Sequence, residues 1–369
     1  WYRARYVRDD ELVEAFGWPP VAGPDAPLQI GSGVANTNII CHAGQRLAVV
    51  EGGNLPVALD ADLETVGRSN FGGTLPGGFS AHVHGDPDTG ELHAAAYSPL
   101  WEHVQHVVVD ASGRVTRTAD VPLRGQSMIH DCMITANYFI ILDMPVILDI
   151  AAAEAGEPLP YRWHEEYGAR VGLLPRNGSA QDVTWHEVDP CFVFHPMNGY
   201  EDEHGNVILD VVRHPRMFAN DFHGPNEGQT RLDRWTIDPG SPRVREQCLD
   251  DHGQEFPRIN ETLTGKPYRF GYCTALADGF TLAGIIKHDL QEGRREVYAE
   301  GAQRNFMEPV FVPAESAAAE DDGWLFSFVY DAESNVSEVL ILAAQDLAAG
   351  PVARVLLPHR VPFGFHGNW

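Results

Sequence analysis

The longest uninterrupted apolar run lies at residues 132–142, where Ile, Met, Phe, Tyr and Thr crowd together. These are side chains that suit a pleated surface, so 132–143 is expected to form one buried strand, too short to span a membrane. Shorter runs of the same kind recur on both sides. They predict strands at 37–40, 47–51, 93–98, 105–110, 114–119, 170–175, 184–188, 191–196, 207–212, 231–237 and 243–249. Further strands are expected at 268–274, 279–289, 296–298, 309–313, 324–331, 337–346 and 352–357. Residues 1–7 also read as a strand. Turn signals such as Asp86-Pro87-Asp88-Thr89-Gly90 separate the runs. Helical periodicity is confined to a short segment around 10–16 and an alanine cluster at 151–155. Residues 8–35 are polar and rich in Gly and Pro, and long loops are expected within 147–180 and at 213–230. So many short strands exceed a simple sandwich, and the number favours an all-β propeller, although no WD or kelch-like repeat is present.

Composition narrows the partners. The 369 residues are 44% hydrophobic, enough for a substantial core. Lys+Arg 26 against Asp+Glu 52 gives a net charge of -26, which disfavours nucleic acid and anionic lipid. Five cysteines, with no CxxC pair, fit a reducing cytoplasm, and Cys132 and Cys191 read as small buried hydrophobes. No signal peptide or transmembrane run is evident.

Candidate chemistry lies in the histidines that adjoin apolar strands. His130 precedes the central run, and His82, His195 and His366 sit in similar contexts (Phe79-Ser80-Ala81-His82, Phe194-His195-Pro196, Phe365-His366-Gly367). They are 48, 65 and 171 residues apart (130−82, 195−130, 366−195), so each would come from a different strand end. That is how a central axis collects ligands, and it is unlike an HExxH helix. Four neutral imidazoles suit Fe, Cu, Ni or Zn. His84 could form a His-x-His pair with His82, a cupin-like alternative, but Gly85 and Asp86 place it at a turn. The other twelve of the 17 histidines, His214 among them, read mostly as solvated surface groups.

Several segments in series resemble the carotenoid cleavage oxygenase family, which includes carotenoid, apocarotenoid and lignostilbene dioxygenases. They are Ala35-Asn36-Thr37-Asn38, Val49-Val50-Glu51-Gly52-Gly53, Ser80-Ala81-His82 with Asp86–Glu91, and Met128-Ile129-His130-Asp131. Phe194–Glu201, Glu255–Asn260, Glu308–Val312 and Phe365–Trp369 follow in the family's order. The resemblance implies a seven-bladed β-propeller with a loop and helical cap and Fe(II) on the axis, held by His82, His130, His195 and His366. It also implies three glutamates behind those histidines, at Glu51, Glu255 and Glu308. A ligating imidazole needs such a partner to fix its tautomer.

By the same resemblance, O2 cleaves an alkene double bond into two carbonyl products, in a carotenoid or apocarotenoid, and no side-chain nucleophile is required. A lignostilbene or phenylpropanoid substrate is the alternative, and an inactive binding scaffold is a reading of another class. The whole of 1–369 would be one propeller domain without the family's N-terminal portion. Lignostilbene-type members typically carry a phenol-binding lysine just before the first glutamate. Val50 stands there, which favours an apolar polyene as partner, with a weak membrane contact to collect it.

Overall fold

The computed structural model describes residues 2–25, 34–277 and 280–369. Trp1, the 26–33 part of the Gly/Pro-rich stretch, and Gly279 at the head of an expected strand lie outside them. Residues 2–7 carry no strand, contrary to the expectation for 1–7. The helix Asp10–Phe16 does form; Asp9 caps its N-terminus and Gly17, at φ 64°, ends it in the left-handed region that glycine tolerates.

The short strands pair with their chain neighbours into antiparallel four-stranded meanders. The first sheet runs from Asn38–His42 to Thr65–Arg68, and the second from Val83–Gly85 to Val115–Pro122. The third begins at Cys132–Ile134 and ends at Thr184–Val188, the fourth spans Pro196–Glu201 to Arg245–Asp250, and the fifth Gln254–Ile259 to Arg294–Ala299. In the sixth, Arg304–Phe306 and Val310–Pro313 both pair with Gly323–Asp331, and the sheet continues to Pro351–Leu356. From the second sheet to the fifth the first strands of successive sheets touch one another, that of the fifth touches Val310–Pro313 of the sixth, and apolar cores fill the space between sheet faces. This is a propeller.

Its blade count differs from the expected seven. Among the described residues there are six blade sheets, because each meander consumes four or five strands and the remaining pair, Val146–Leu148 with Tyr161–Trp163, forms only a two-stranded ribbon. The single strand expected over 132–143 is instead a hairpin, Cys132–Ile134 and Tyr138–Asp143. Its turn carries neither Gly nor Pro. Thr135 and Asn137 close it by binding the Glu201 carboxylate at 2.6–2.9 Å, a partner distant in sequence. Phe139, Ile140 and Ile141 are fully buried, each contributing about 1.5–3 kcal/mol through removal from water.

Two excursions leave the sheets where the histidine segments enter. The ribbon and the helix Ile150–Glu154 form one, tied to the His130 segment by Met128 N–H donating to the Val146 carbonyl. The loop 214–230 is the other, beginning where His214 and Phe192 exchange backbone hydrogen bonds. Trp163 N–H donates to the Phe218 carbonyl and joins the two. Among the described residues no helix is long and apolar enough to cross a membrane.

A further buried histidine pair, His93 and His106, lies in the second sheet, where His93 pairs across the strands with His84. The Arg176 guanidinium, which can only donate, reaches His93 Nε2 at 2.8 Å, so His93 donates from Nδ1 to His106 Nε2 at 2.9 Å. His106 stacks on Phe139. Burial, reinforced by Arg176, pushes the His93 pKa down from 6.5 to about 3. A histidine held neutral in the fold contributes its full stability above pH 6.5 and loses it as pH falls toward 3, because the unfolded chain binds the proton first. By pH 5 the loss is about 2 kcal/mol. Thermal melts at pH 7 and pH 5 should show a larger drop in the wild type than in His93→Gln; parallel drops would contradict this account.

Candidate metal centre

The strand entries deliver the candidate histidines. His82 immediately precedes Val83–Gly85, His130 lies two residues before Cys132–Ile134, and His195 immediately precedes Pro196–Glu201. His366 arrives on the C-terminal segment, whose backbone N–H donates to the Thr37 carbonyl. Next to it, Asn368 donates to Asn38 and to the Ile39 carbonyl, both at 2.8 Å, which ties this segment to the first sheet. The structure brings the four together. Ring centroids are 4.3 Å apart for His82 and His130, 5.1 Å for His130 and His195, 4.8 Å for His195 and His366, and 4.7 Å for His82 and His366.

Each glutamate named from the sequence stands behind one ring. Glu255 Oε2 is 2.7 Å from His195 Nδ1, and Glu308 Oε1 is 2.9 Å from His366 Nδ1. Glu51 Oε2 is 3.0 Å from His130 Nδ1, off the line of a straight hydrogen bond. Local backbone aims two of these carboxylates. The ladder slips between Glu255 and Arg258, with Phe256 at φ 54°, a left-handed conformation unusual for a bulky residue. At Glu308-Pro309 the inner strand of the sixth sheet breaks, where proline has no N–H for the ladder.

With Nδ1 turned to a carboxylate, His130 and His195 present Nε2 to each other at 3.3 Å. If both Nδ1 atoms carry their protons, both Nε2 atoms are lone pairs, and two facing lone pairs cannot hydrogen-bond. His82 Nε2 is buried with no hydrogen-bond partner. A cation among these nitrogens would satisfy all of them, so the donor set fits a metal ion. The electrostatics agree. Burial drives the His82 pKa down to about 3 and also lowers His195, despite Glu255 beside it. Burial opposes charge on His130 too, but there the Glu51 carboxylate outweighs it and raises the pKa. Burial would raise the pKa of Glu51, Glu255 and Glu308; their neighbours prevail and hold all three below the usual carboxylate range, Glu308 at about 2.

The match with known proteins covers the same residues. The family model described as RPE65, retinal pigment epithelial membrane protein, matches residues 1–369. The chain belongs to the carotenoid cleavage oxygenase family. Over 419 residues it is 39% identical to the carotenoid cleavage oxygenase of Mycobacterium tuberculosis, covering 100% of this chain and 83% of that protein. A cobalt-substituted apocarotenoid oxygenase of Synechocystis superposes with a TM-score of 0.88 at 29% identity, over 98% of this chain and 82% of the other. The lignostilbene dioxygenase of Pseudomonas brassicacearum does so with a TM-score of 0.88 at 28% identity, over 99% and 83%. Membership makes the chain an alkene-cleaving dioxygenase with a non-haem metal centre.

Behind the glutamates stand partners that the sequence did not reveal. Tyr97 donates its hydroxyl to Glu51 Oε2 at 2.8 Å. His214 Nε2 is 2.8 Å from Glu255 Oε1, and Arg258 donates to Glu308 Oε2 at 3.1 Å. His214 is fully buried, not solvated, and so are His93, His106, His186 and His288. A local signal existed: His214-Pro215 closes an apolar strand in the same His-Pro form as His195-Pro196 opens one. His84 is not at a turn. It lies within Val83–Gly85, two residues from His82 and on the same face, with Nε2 2.8 Å from Asp131 Oδ1.

Proposed function

We propose that this chain is a non-haem Fe(II) dioxygenase acting on an apocarotenoid or carotenoid, with His82, His130, His195 and His366 as the metal ligands and Glu51, Glu255 and Glu308 as their supporting carboxylates. The observation that carries it is the convergence of four imidazoles, His82 and His195 buried and His130 and His366 largely so, with His82 Nε2 lacking a hydrogen-bond partner and the His130 and His195 Nε2 atoms facing each other. Iron held there would supply O2 activation, so that both oxygen atoms are inserted across one C=C bond and two carbonyl products leave.

The chain's own residues do the rest. Neutral histidines leave the metal charge intact, while each glutamate holds its imidazole in the Nδ1–H tautomer and offsets part of that charge. Phe194 lies edge-on to His130 with centroids 4.8 Å apart, and Phe256 flanks His195 and His366 at 5.5 and 5.6 Å. These rings wall the site with apolar surface and exclude water from it. Burial and Glu51 push the Tyr97 pKa far up, so its phenol keeps its proton and continues to donate. A reducing cytoplasm suits the five cysteines, which are all unpaired. Leu100, Ile150 and Phe222 are exposed on segments flanking the histidine entry and support a weak membrane contact for collecting an apolar substrate.

Val50 supports the polyene over a hydroxylated stilbene. It is half-buried at the end of Gln45–Val49, beside Glu51, and cannot hydrogen-bond a phenol. A phenol left unpaired there costs about 1–3 kcal/mol, whereas a hydrocarbon chain incurs no such penalty. The kcat/KM for an apocarotenal should therefore exceed that for a hydroxylated stilbene by about tenfold or more. A stilbene preferred by the same factor would overturn this assignment.

A further inference from the structure

His82 is the one ring of the four with no glutamate on its Nδ1. That nitrogen faces a different carboxylate, Asp131 Oδ2, 4.0 Å away and beyond direct hydrogen-bond reach, while Nε2 lies 3.7 Å from Glu51 Oε1 on the side of the metal site. Asp131 is itself buried and anchored, with Oδ1 accepting from the Cys132 backbone N–H at 2.6 Å and lying 2.8 Å from His84 Nε2. His130 and Asp131 are adjacent, so successive side chains of an extended segment point to opposite sides. One enters the ring and the other reaches behind its neighbour.

Three rings have a carboxylate within 2.7–3.0 Å of Nδ1 and a further group behind it. His130 is backed by Glu51 and Tyr97, His195 by Glu255 and His214, and His366 by Glu308 and Arg258. His82 would be backed by Asp131 and His84. We propose that Asp131, held in place by His84, is the positioning carboxylate of His82, completing a fourth histidine–carboxylate–donor chain around the metal centre. This rests on the four-histidine reading and adds to it a role for two residues outside that ligand set. It also accounts for the His-x-His spacing, with the second histidine steadying the first through a shared carboxylate instead of ligating beside it. A carboxylate facing Nδ1 keeps the proton on that atom and leaves Nε2 free for the metal.

Substitution by asparagine keeps the shape and an oxygen for the Cys132 N–H. It can also turn an NH2 toward His82 Nδ1, which favours the tautomer that places the proton on Nε2. The test is anaerobic titration of the metal-free protein with Co(II), read by its visible absorption bands and by competition with a chelator. Asp131→Asn should weaken Co(II) binding roughly 10–100-fold and alter the bands. Asp131→Glu, which keeps the charge, should recover part of the loss. His84→Ala should shift affinity in the same direction by less, and the double variant with Asp131→Asn should be no worse than Asp131→Asn alone, because His84 acts through Asp131.

Wild-type affinity and bands in Asp131→Asn would overturn the inference. So would a second Co(II) in the wild type that only Asp131→Asn removes, which would make His84, Asp131 and Cys132 a separate cation site. If Asp131→Asn fails to fold, His84→Ala decides alone, and unchanged binding overturns the inference. A wild type that binds no Co(II) would overturn the four-histidine reading itself.

Discussion

His130→Ala should leave a protein that folds but neither retains metal nor cleaves an alkene. His130 packs against His82 and His195, and its Nε2 lies 3.3 Å from that of His195. Alanine removes one of the four donors and leaves His82, His195 and His366 to hold an ion with one ligand fewer and no Glu51-backed ring. It also strips Glu51 of its nearest imidazole partner, leaving the Tyr97 hydroxyl donating to that carboxylate. Leaving a buried group short of a partner costs about 1–3 kcal/mol, so the melting temperature should fall modestly while activity disappears. Alanine at His82, His195 or His366 should abolish activity likewise. His359→Ala, on an exposed position outside the site, is the control and should leave kcat/KM unchanged. Turnover at the wild-type rate in His130→Ala would contradict the assignment.

Glu255→Gln should reduce metal affinity or rate by roughly 10–100-fold without unfolding the protein. In Glu255 each oxygen serves a different imidazole, His195 at 2.7 Å and His214 at 2.8 Å. The amide of glutamine can accept from one ring only, and its NH2 then opposes the N–H of the other. Glu308 faces the same conflict. Its Oε2 takes Arg258 and the Gly367 N–H, so a glutamine that keeps its oxygen on His366 turns its NH2 against two donors. Glu51→Gln and Glu308→Gln should therefore fall within the same range as Glu255→Gln. Chelator competition and initial rates measured on all three give the losses, and wild-type values throughout would reduce these glutamates to structural roles.

The features that could be read from the sequence were those with a local signature. Strands announced themselves as short apolar runs, and the four histidines shared one layout against such runs. The helix Asp10–Phe16 was legible from its helical periodicity. What escaped was set by distant partners. The run through Cys132 looked continuous because its turn, Thr135–Asn137, is closed by Glu201 and not by Gly or Pro. His214 looked like a surface group and His84 like a turn residue, because polar side chains read as solvated until their buried partners are known. The blade count depended on how strands group into sheets. Local pattern does not encode that, and the resemblance pointed to seven where six sheets form among the described residues.

The most direct test of the metal centre is the iron content of the purified protein after anaerobic loading and removal of loosely bound metal. One four-histidine site requires about one iron per chain in the wild type and essentially none in His130→Ala. A wild type that retains no iron, or a His130→Ala variant that retains it in full, would contradict the account.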